Sequence, residues 1–163
     1  MDKEIKRNSW SKFCRKFSSD NQYRGVTIKF VDRHKKVVNV SDNLPFLGLA
    51  LTKNGRLIDG FELFSEWGHV ERVAAPVAAI KEPSKVKVGF DKNGRENSLV
   101  IESKDGSRLD IALTGEADNN RHRYLVEKVA YSMYEQRGYT PGSHESDWLE
   151  AERMVRETES QFV

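Results

Sequence analysis

The residue types that usually carry out chemistry are few in this chain and stand far apart. The four histidines lie in separate segments without metal-ligand spacing, at His34, His69, His122 and His144. His69 follows Trp67 and Gly68, which would suit a ligand-contact corner, although a solvated histidine at a strand end is the commoner arrangement. Cys14 lies on an apolar stripe, where a buried structural thiol is the usual case. The sequence contains no phosphate-loop, dinucleotide-binding, serine-nucleophile or zinc-protease motif.

Two pairs of close carboxylates could act as a general acid and base: Glu150 with Glu152, and Asp59 with Glu62. Nothing in the sequence places either pair in a cleft, so solvated surface charge is the favoured interpretation. Glu152 shares a helical face with Trp148, and we expect it to accept a structural hydrogen bond from Tyr131 or from a backbone N–H. The sequence therefore predicts no catalytic residue, no cofactor and no metal ion, and it marks Trp148, Glu152 and Tyr131 as candidate contacts to a partner.

The N-terminal part of the chain is rich in positive charge. Residues 1–40 hold 11 lysines and arginines against 4 acidic residues, whereas residues 116–163 hold 6 against 10. Aromatic residues near the basic ones could stack on single-stranded nucleic acid. The alternative is that the two ends face each other or solvate the surface, because the basic residues form no continuous block. The candidate anion contacts are Lys12, Arg15, Lys16, Arg24, Lys29 and Arg33.

Composition narrows the class of protein. The chain has 163 residues, of which 37% are hydrophobic and 32% charged, which allows a modest core under a heavily solvated surface. No apolar run approaches the ~18 residues of a membrane span. No apolar segment follows the N-terminus as in a secretory signal, and one cysteine excludes an internal disulfide. These features predict a cytoplasmic protein without a membrane partner.

The first aromatic residues require a helix to position them. Trp10, Phe13, Cys14 and Phe17 follow a helical period, which predicts a helix over residues 9–19. Asn8 or Ser9 is expected to cap its first turn.

From Gly25 to about Gly115 the period changes to two. Val26, Ile28 and Phe30 alternate with polar residues, and the same alternation recurs later in the segment. Asn-Gly and Asp-Gly pairs between the apolar runs predict type I′ turns, which would pair residues 47–52 with 56–64 and residues 98–103 with 107–113. The prediction is an α+β protein whose N-terminal helix covers a small antiparallel β-barrel or a strongly bent sheet.

Residues 116–120 are polar and aperiodic, which indicates a linker between a domain at 1–115 and a helical hairpin at 121–163. Gly138 is expected at the end of the first helix of the hairpin and Ser146 at the cap of the second. Trp148 should pack against the first helix, near Val129 or Met133. Two helices of this length bury too little to be stable alone, so they must also close on the β domain, a second copy or a partner.

Two segments resemble known families. One resemblance rests on Val126-Glu127, Ala130-Tyr131, Tyr134-Glu135, Gly138, Asp147-Trp148 and Ala151-Glu152, which are similar to the family domain of unknown function 2934 over about residues 122–156. That family is a helical hairpin without an established activity. Trp10, Phe13, Gly25, Pro83 and Asp105-Gly106 are among the positions that resemble domain of unknown function 5335. Both resemblances imply a bacterial cytoplasmic protein, and neither implies a catalytic residue.

These observations favour a non-catalytic interaction or regulatory module. Its partner would be an unknown protein or a second copy, bound through the C-terminal hairpin. The alternative is a small β-barrel protein that binds nucleic acid weakly. An enzyme ranks third.

Overall fold

The computed structural model describes residues 2–65, 76–116 and 119–160. The helices in these ranges are α1 (Trp10–Asn21), α2 (Asn119–Gln136) and α3 (His144–Ser160). The strands are β1 (Asp2–Glu4), β2 (Gly25–Val31), β3 (Val37–Pro45), β4 (Gly48–Asn54), β5 (Leu57–Phe64), β6 (Pro76–Lys81), β7 (Pro83–Phe90), β8 (Glu96–Ser103) and β9 (Arg108–Thr114). In the same ranges, no helix combines the length and the hydropathy that crossing a bilayer requires.

The β part consists of two antiparallel sheets and is not a closed barrel. The larger sheet has the order β1-β7-β8-β9-β2-β3, and the smaller has the order β4-β5-β6. The division falls at Phe46 and Leu47, because β4 pairs forward with β5 instead of continuing the edge formed by β3. The α+β class is therefore confirmed, whereas the barrel form of the prediction is wrong.

The predicted hairpins are present, but in their turns only the glycine has a positive φ, 66° at Gly55 and 91° at Gly106, whereas a type I′ turn needs two such residues. β4 pairs with β5 and β8 pairs with β9, as the sequence indicated. Between β7 and β8, the Asp91 carboxylate accepts hydrogen bonds from the backbone N–H groups of Asn93 (2.8 Å) and Arg95 (3.0 Å). Gly94 supplies the positive φ of 77° that this turn requires. An aspartate thus holds the chain reversal in place of the two positive φ angles of a type I′ turn.

Helix α1 covers the main core and the edge of the smaller sheet. Trp10, Cys14 and Phe17 are buried in one cluster with the inner faces of both sheets, as the apolar stripe predicted. The Ser18 hydroxyl accepts a hydrogen bond from the backbone N–H of Leu49 (2.9 Å) on β4. A helix side chain therefore serves one of the edge groups that β4 would otherwise expose. Ser9 occupies the N-cap position, but its side chain makes no capping bond.

The C-terminal helices pack in a second apolar cluster. Leu125 and Val126 of α2 and Val155 of α3 are almost fully buried. They pack with Tyr23 and Leu47, which flank the main core. The back of the hairpin is therefore held against the β part, as the short length of the two helices required. The division of the chain into a 1–115 domain and a 121–163 hairpin stays a prediction.

Candidate docking groove on the C-terminal hairpin

The turn between α2 and α3 fixes the angle of the hairpin. Gly138 takes a positive φ of 68°, and the backbone N–H of Tyr139 donates to the carbonyl of Tyr134 (3.1 Å). This arrangement is a Schellman ending, and it confirms the glycine expected there. Arg137 then forms an ion pair with Asp147 on α3, which ties the end of one helix to the start of the next.

Helix α3 begins earlier than the sequence suggested. Its first residue is His144, and the backbone N–H of Asp147 already donates to the carbonyl of Ser143 (2.9 Å). Ser146 lies inside the first turn, where its hydroxyl donates to the same carbonyl (3.1 Å). The expectation that Ser146 caps the helix was therefore wrong, because its hydroxyl serves as a donor to the preceding turn and not as an acceptor of free N–H groups.

An open groove of about 430 Å³ lies between α2 and α3. That volume falls within the range of small-ligand sites, about 300–1,000 Å³. Both helices contribute side chains, so the groove exists only in the closed hairpin. Its lining residues are Glu127, Ala130, Tyr131, Tyr134, His144, Asp147 and Trp148.

Trp148 is half-buried. Its indole packs on the cluster that holds Val129 and Met133, as the sequence predicted, and it also lines the groove. The indole N–H donates to the Glu152 carboxylate (3.1 Å). The expected partners of Glu152, Tyr131 or a backbone N–H, were therefore wrong, because the side chains four residues apart on one helix meet first.

The bond to Glu152 has a consequence for recognition. Trp148 has one polar hydrogen, and that hydrogen is already satisfied within the hairpin. The part of the indole that faces the groove is thus an aromatic face and edge, suited to stacking and apolar contact.

Tyrosines form the opposite wall of the groove. Tyr131 is 56% exposed, and its ring centroid lies 6.2 Å from that of Tyr134. Tyr134 in turn contacts the rings of Tyr139 (5.3 Å) and His144 (5.9 Å). The carboxylate of Glu135, followed by Tyr139, raises the pKa of the Tyr131 phenol.

Of the candidate anion contacts, Arg24 is the one that the structure removes from the surface. It is 3% exposed. Its Nε donates to the carbonyl of Gly115 (2.8 Å), and its Nη1 donates to the side chain of Asn21 (2.8 Å) and to the carbonyl of Glu96. Arg24 therefore holds α1, β8 and the end of β9 together and has no free charge to offer an anion.

The other basic candidates do not form one patch. Lys12, Arg15 and Lys16 are exposed on α1, and Lys16 pairs with Asp20. Lys29 is exposed on β2, between residues that face the core shared with α1. Because side chains alternate along a strand, Lys29 lies on the opposite side of the sheet from α1. Arg33 is exposed in the turn after β2.

The aromatic residues considered for stacking are largely core. Phe46 and Phe61 are at most 1% exposed, and they pack in the main cluster with Trp10 and Phe17. Trp67 and His69, proposed as a ligand-contact corner, lie outside the described residues. The structure thus separates the charges and buries aromatics that a nucleic-acid surface would have combined.

Comparison with known proteins bears on the hairpin. Residues 125–157 match the family described as protein of unknown function, DUF2934. The match confirms the C-terminal resemblance, and it spans every residue that lines the groove. A search of curated proteins gives no match. The similarity of the N-terminal segment to domain of unknown function 5335 stays a prediction.

The sequence marked three of the residues that matter here. Trp148 and Tyr131 line the groove, and Glu152 orients Trp148. Sequence reasoning missed Tyr134 and His144. A signal for Tyr134 was present, because residues three apart on a helix, such as Tyr131 and Tyr134, share a face. The role of these residues in binding a partner stays a prediction.

Proposed function

We propose that this chain is a non-catalytic interaction module whose C-terminal hairpin docks a segment of a partner protein. The observation that carries the proposal is the aromatic groove between α2 and α3. It exposes Tyr131 and includes the half-buried Trp148, and aromatic anchors of this kind dominate binding energy at protein interfaces.

The way in which the hairpin is held supports docking. Its back is buried against Tyr23 and Leu47, and its turn is held by the Arg137–Asp147 ion pair. The groove is therefore preorganised, which lowers the entropy that binding must overcome.

The polar groups of the groove favour a binding role over a catalytic role. Glu152 accepts the indole N–H of Trp148, and Asp147 pairs with Arg137. Two of the carboxylates near the groove thus hold its shape. A bacterial cytoplasmic setting and the 5335-like character of the N-terminal segment, both implied by resemblance, belong to the same proposal.

Photo-crosslinking in living cells tests this function. A photoreactive phenylalanine is placed at Tyr131, inside the groove, or at Tyr124, which is 49% exposed on the same helix but outside the groove lining. We expect position 131 to capture one defined protein segment reproducibly, and position 124 not to capture it. The captured segment, once synthesised, should bind the purified chain and lose affinity to Tyr131→Ala.

Two outcomes would contradict the proposal. Equal capture at both positions would mean that the adducts reflect surface exposure and not a site. Failure of the synthesised segment to bind the purified chain would mean that capture was accidental. If the adduct joins two copies of this chain and sedimentation shows concentration-dependent association, the partner is a second copy and the docking role stands.

A further inference from the structure

We infer that the groove selects an arginine side chain of the docking segment; the inference rests on the proposed function. The rings of Tyr131, Tyr134 and Trp148 present π faces that attract a cation. In the described part of the chain, His144 is the only residue of the groove lining that can carry a positive charge. The groove therefore has no lysine or arginine of its own to repel an incoming guanidinium.

Carboxylates surround these rings. Glu127 and Asp147 belong to the lining, Glu152 lies behind Trp148, and Glu135 acts on Tyr131. The neighbouring arginines are Arg123, which pairs with Glu127, and Arg137, which pairs with Asp147. The balance leaves excess negative charge around an aromatic surface, which complements a cationic side chain.

Glu127 is the carboxylate best placed to bind the arginine. Its ion pair with Arg123 joins Nε to Oε1 at 3.3 Å, with side chains 72% and 53% exposed. Exposed pairs of this kind are weak because water screens them, so a guanidinium stacked in the groove can compete for Glu127. Asp147 is less available, because its side chain is 12% exposed and already paired with Arg137.

A guanidinium suits this surface better than an ammonium. It is planar, it stacks on aromatic rings, and it is less strongly hydrated than the lysine head group. Both kinds of cation lie over aromatic rings outside the groove, since the guanidinium of Arg7 is 4.9 Å from the ring centroid of Trp10 and the ammonium of Lys128 is 5.5 Å from that of Tyr124. The preference for arginine therefore rests on these properties of the guanidinium.

Nuclear magnetic resonance titration of the full chain tests the inference. The probes are two acetylated and amidated pentapeptides, with arginine or citrulline between pairs of glycines. Citrulline keeps the shape of arginine and lacks its charge. We expect the arginine peptide to shift the backbone amide signals of the groove residues and to bind about fivefold or more tightly than the citrulline peptide, which is the size of one cation–π contact with partial desolvation.

Variants locate the contact. Tyr131→Leu keeps an apolar side chain and removes the ring, and Glu127→Gln removes one charge; each should weaken arginine binding about three- to tenfold. Tyr124→Leu is the matched control, because Tyr124 is similarly exposed on the same helix, and it should leave binding unchanged.

The outcomes separate the inference from the function on which it rests. Equal binding of the arginine and citrulline peptides at the groove would overturn the inference and leave docking intact. Shifts scattered over the whole acidic surface, or equal weakening by Tyr124→Leu, would also overturn it, as would no shift of the groove signals at about 200 mM peptide, where a contact worth a factor of about five half-fills the site. Failure of docking itself is decided separately, by the crosslinking comparison of positions 131 and 124.

Discussion

Replacing Arg24 by methionine tests whether this residue is a structural clamp or a surface charge. Methionine retains the apolar stem and removes the guanidinium. The Asn21 side-chain oxygen would then lose its partner in a place that is 2% exposed, where water does not replace it. The carbonyl of Glu96 loses a bond at a partly buried position, whereas the carbonyl of Gly115 lies at an exposed residue and can bind water instead.

The expected cost follows from these three acceptors. A buried acceptor left without a partner costs about 1–3 kcal/mol, and one that water can reach costs little. One fully buried and one partly buried acceptor therefore predict a loss of about 2–4 kcal/mol in the free energy of unfolding. A domain of ordinary stability, about 5–15 kcal/mol, would survive that loss and still unfold in a measurable transition.

Urea unfolding followed by far-ultraviolet circular dichroism measures the loss. Arg15→Met removes the same charge from an exposed position on α1 and should stay within about 0.5 kcal/mol of the wild type. A change below about 1 kcal/mol for Arg24→Met, with an unchanged denaturant slope, would refute the clamp. That result would return Arg24 to the set of possible anion contacts.

Three further predictions concern the groove, a buried carboxylate and the basic front. Trp148→Ala should lower the free energy of unfolding by about 2 kcal/mol, less than the 3–5 kcal/mol of a fully buried aromatic, because Trp148 is half-buried; a full loss measured in urea would mean that both indole faces are covered. Burial raises the pKa of Glu96, so the folded state binds the proton of this carboxyl more tightly than the unfolded state does. The free energy of unfolding of the wild type, relative to that of Glu96→Gln, should therefore fall as the pH rises above the ordinary value of 4.5. A difference independent of pH would contradict this expectation. Single-stranded DNA should not bind tightly at roughly 0.15 M salt, because counterion release needs several phosphate contacts at once and the basic residues are divided; tight binding in an anisotropy titration would reverse our ranking of the two functions.

The shape of the groove depends on the residues that pack behind the hairpin. Tyr23 and Leu47 come from the segments that follow α1 and β3, and both pack against the hairpin. The β part therefore serves as the support on which a two-helix element keeps one shape.

Local patterns along the chain were sufficient to predict most elements. Three of these patterns are local in the sequence: the apolar period of α1, the alternation in β2 and the glycine after α2. Such features depend on neighbours in sequence, so residues 9–19 were expected as a helix and α1 spans Trp10–Asn21. The hairpins were found for the same reason, although the aspartate that holds the β7–β8 turn was missed.

Tertiary structure decided which charges are exposed and where the sheets divide. The sequence shows that Arg24 is charged but does not show that it is buried, so a count of basic residues includes it. The chain turns at Tyr23, which has a positive φ of 67°, and the next side chain, Arg24, is buried. Whether β4 also pairs with β3, which would join the two sheets, is likewise a matter of tertiary structure, because alternation marks the two faces of a strand and not its neighbours.

The groove shows both kinds of information. The sequence by itself determined that Tyr131, Trp148 and Glu152 lie on helices of a hairpin, because helical spacing fixes which residues share a face. Only the folded chain decided that Trp148 bonds to Glu152 and lines a groove together with Tyr131. The physical reason is that a groove is a relation between two helices and the surface behind them, and that relation is set by packing at Leu47 and Val126, which are far apart in the chain.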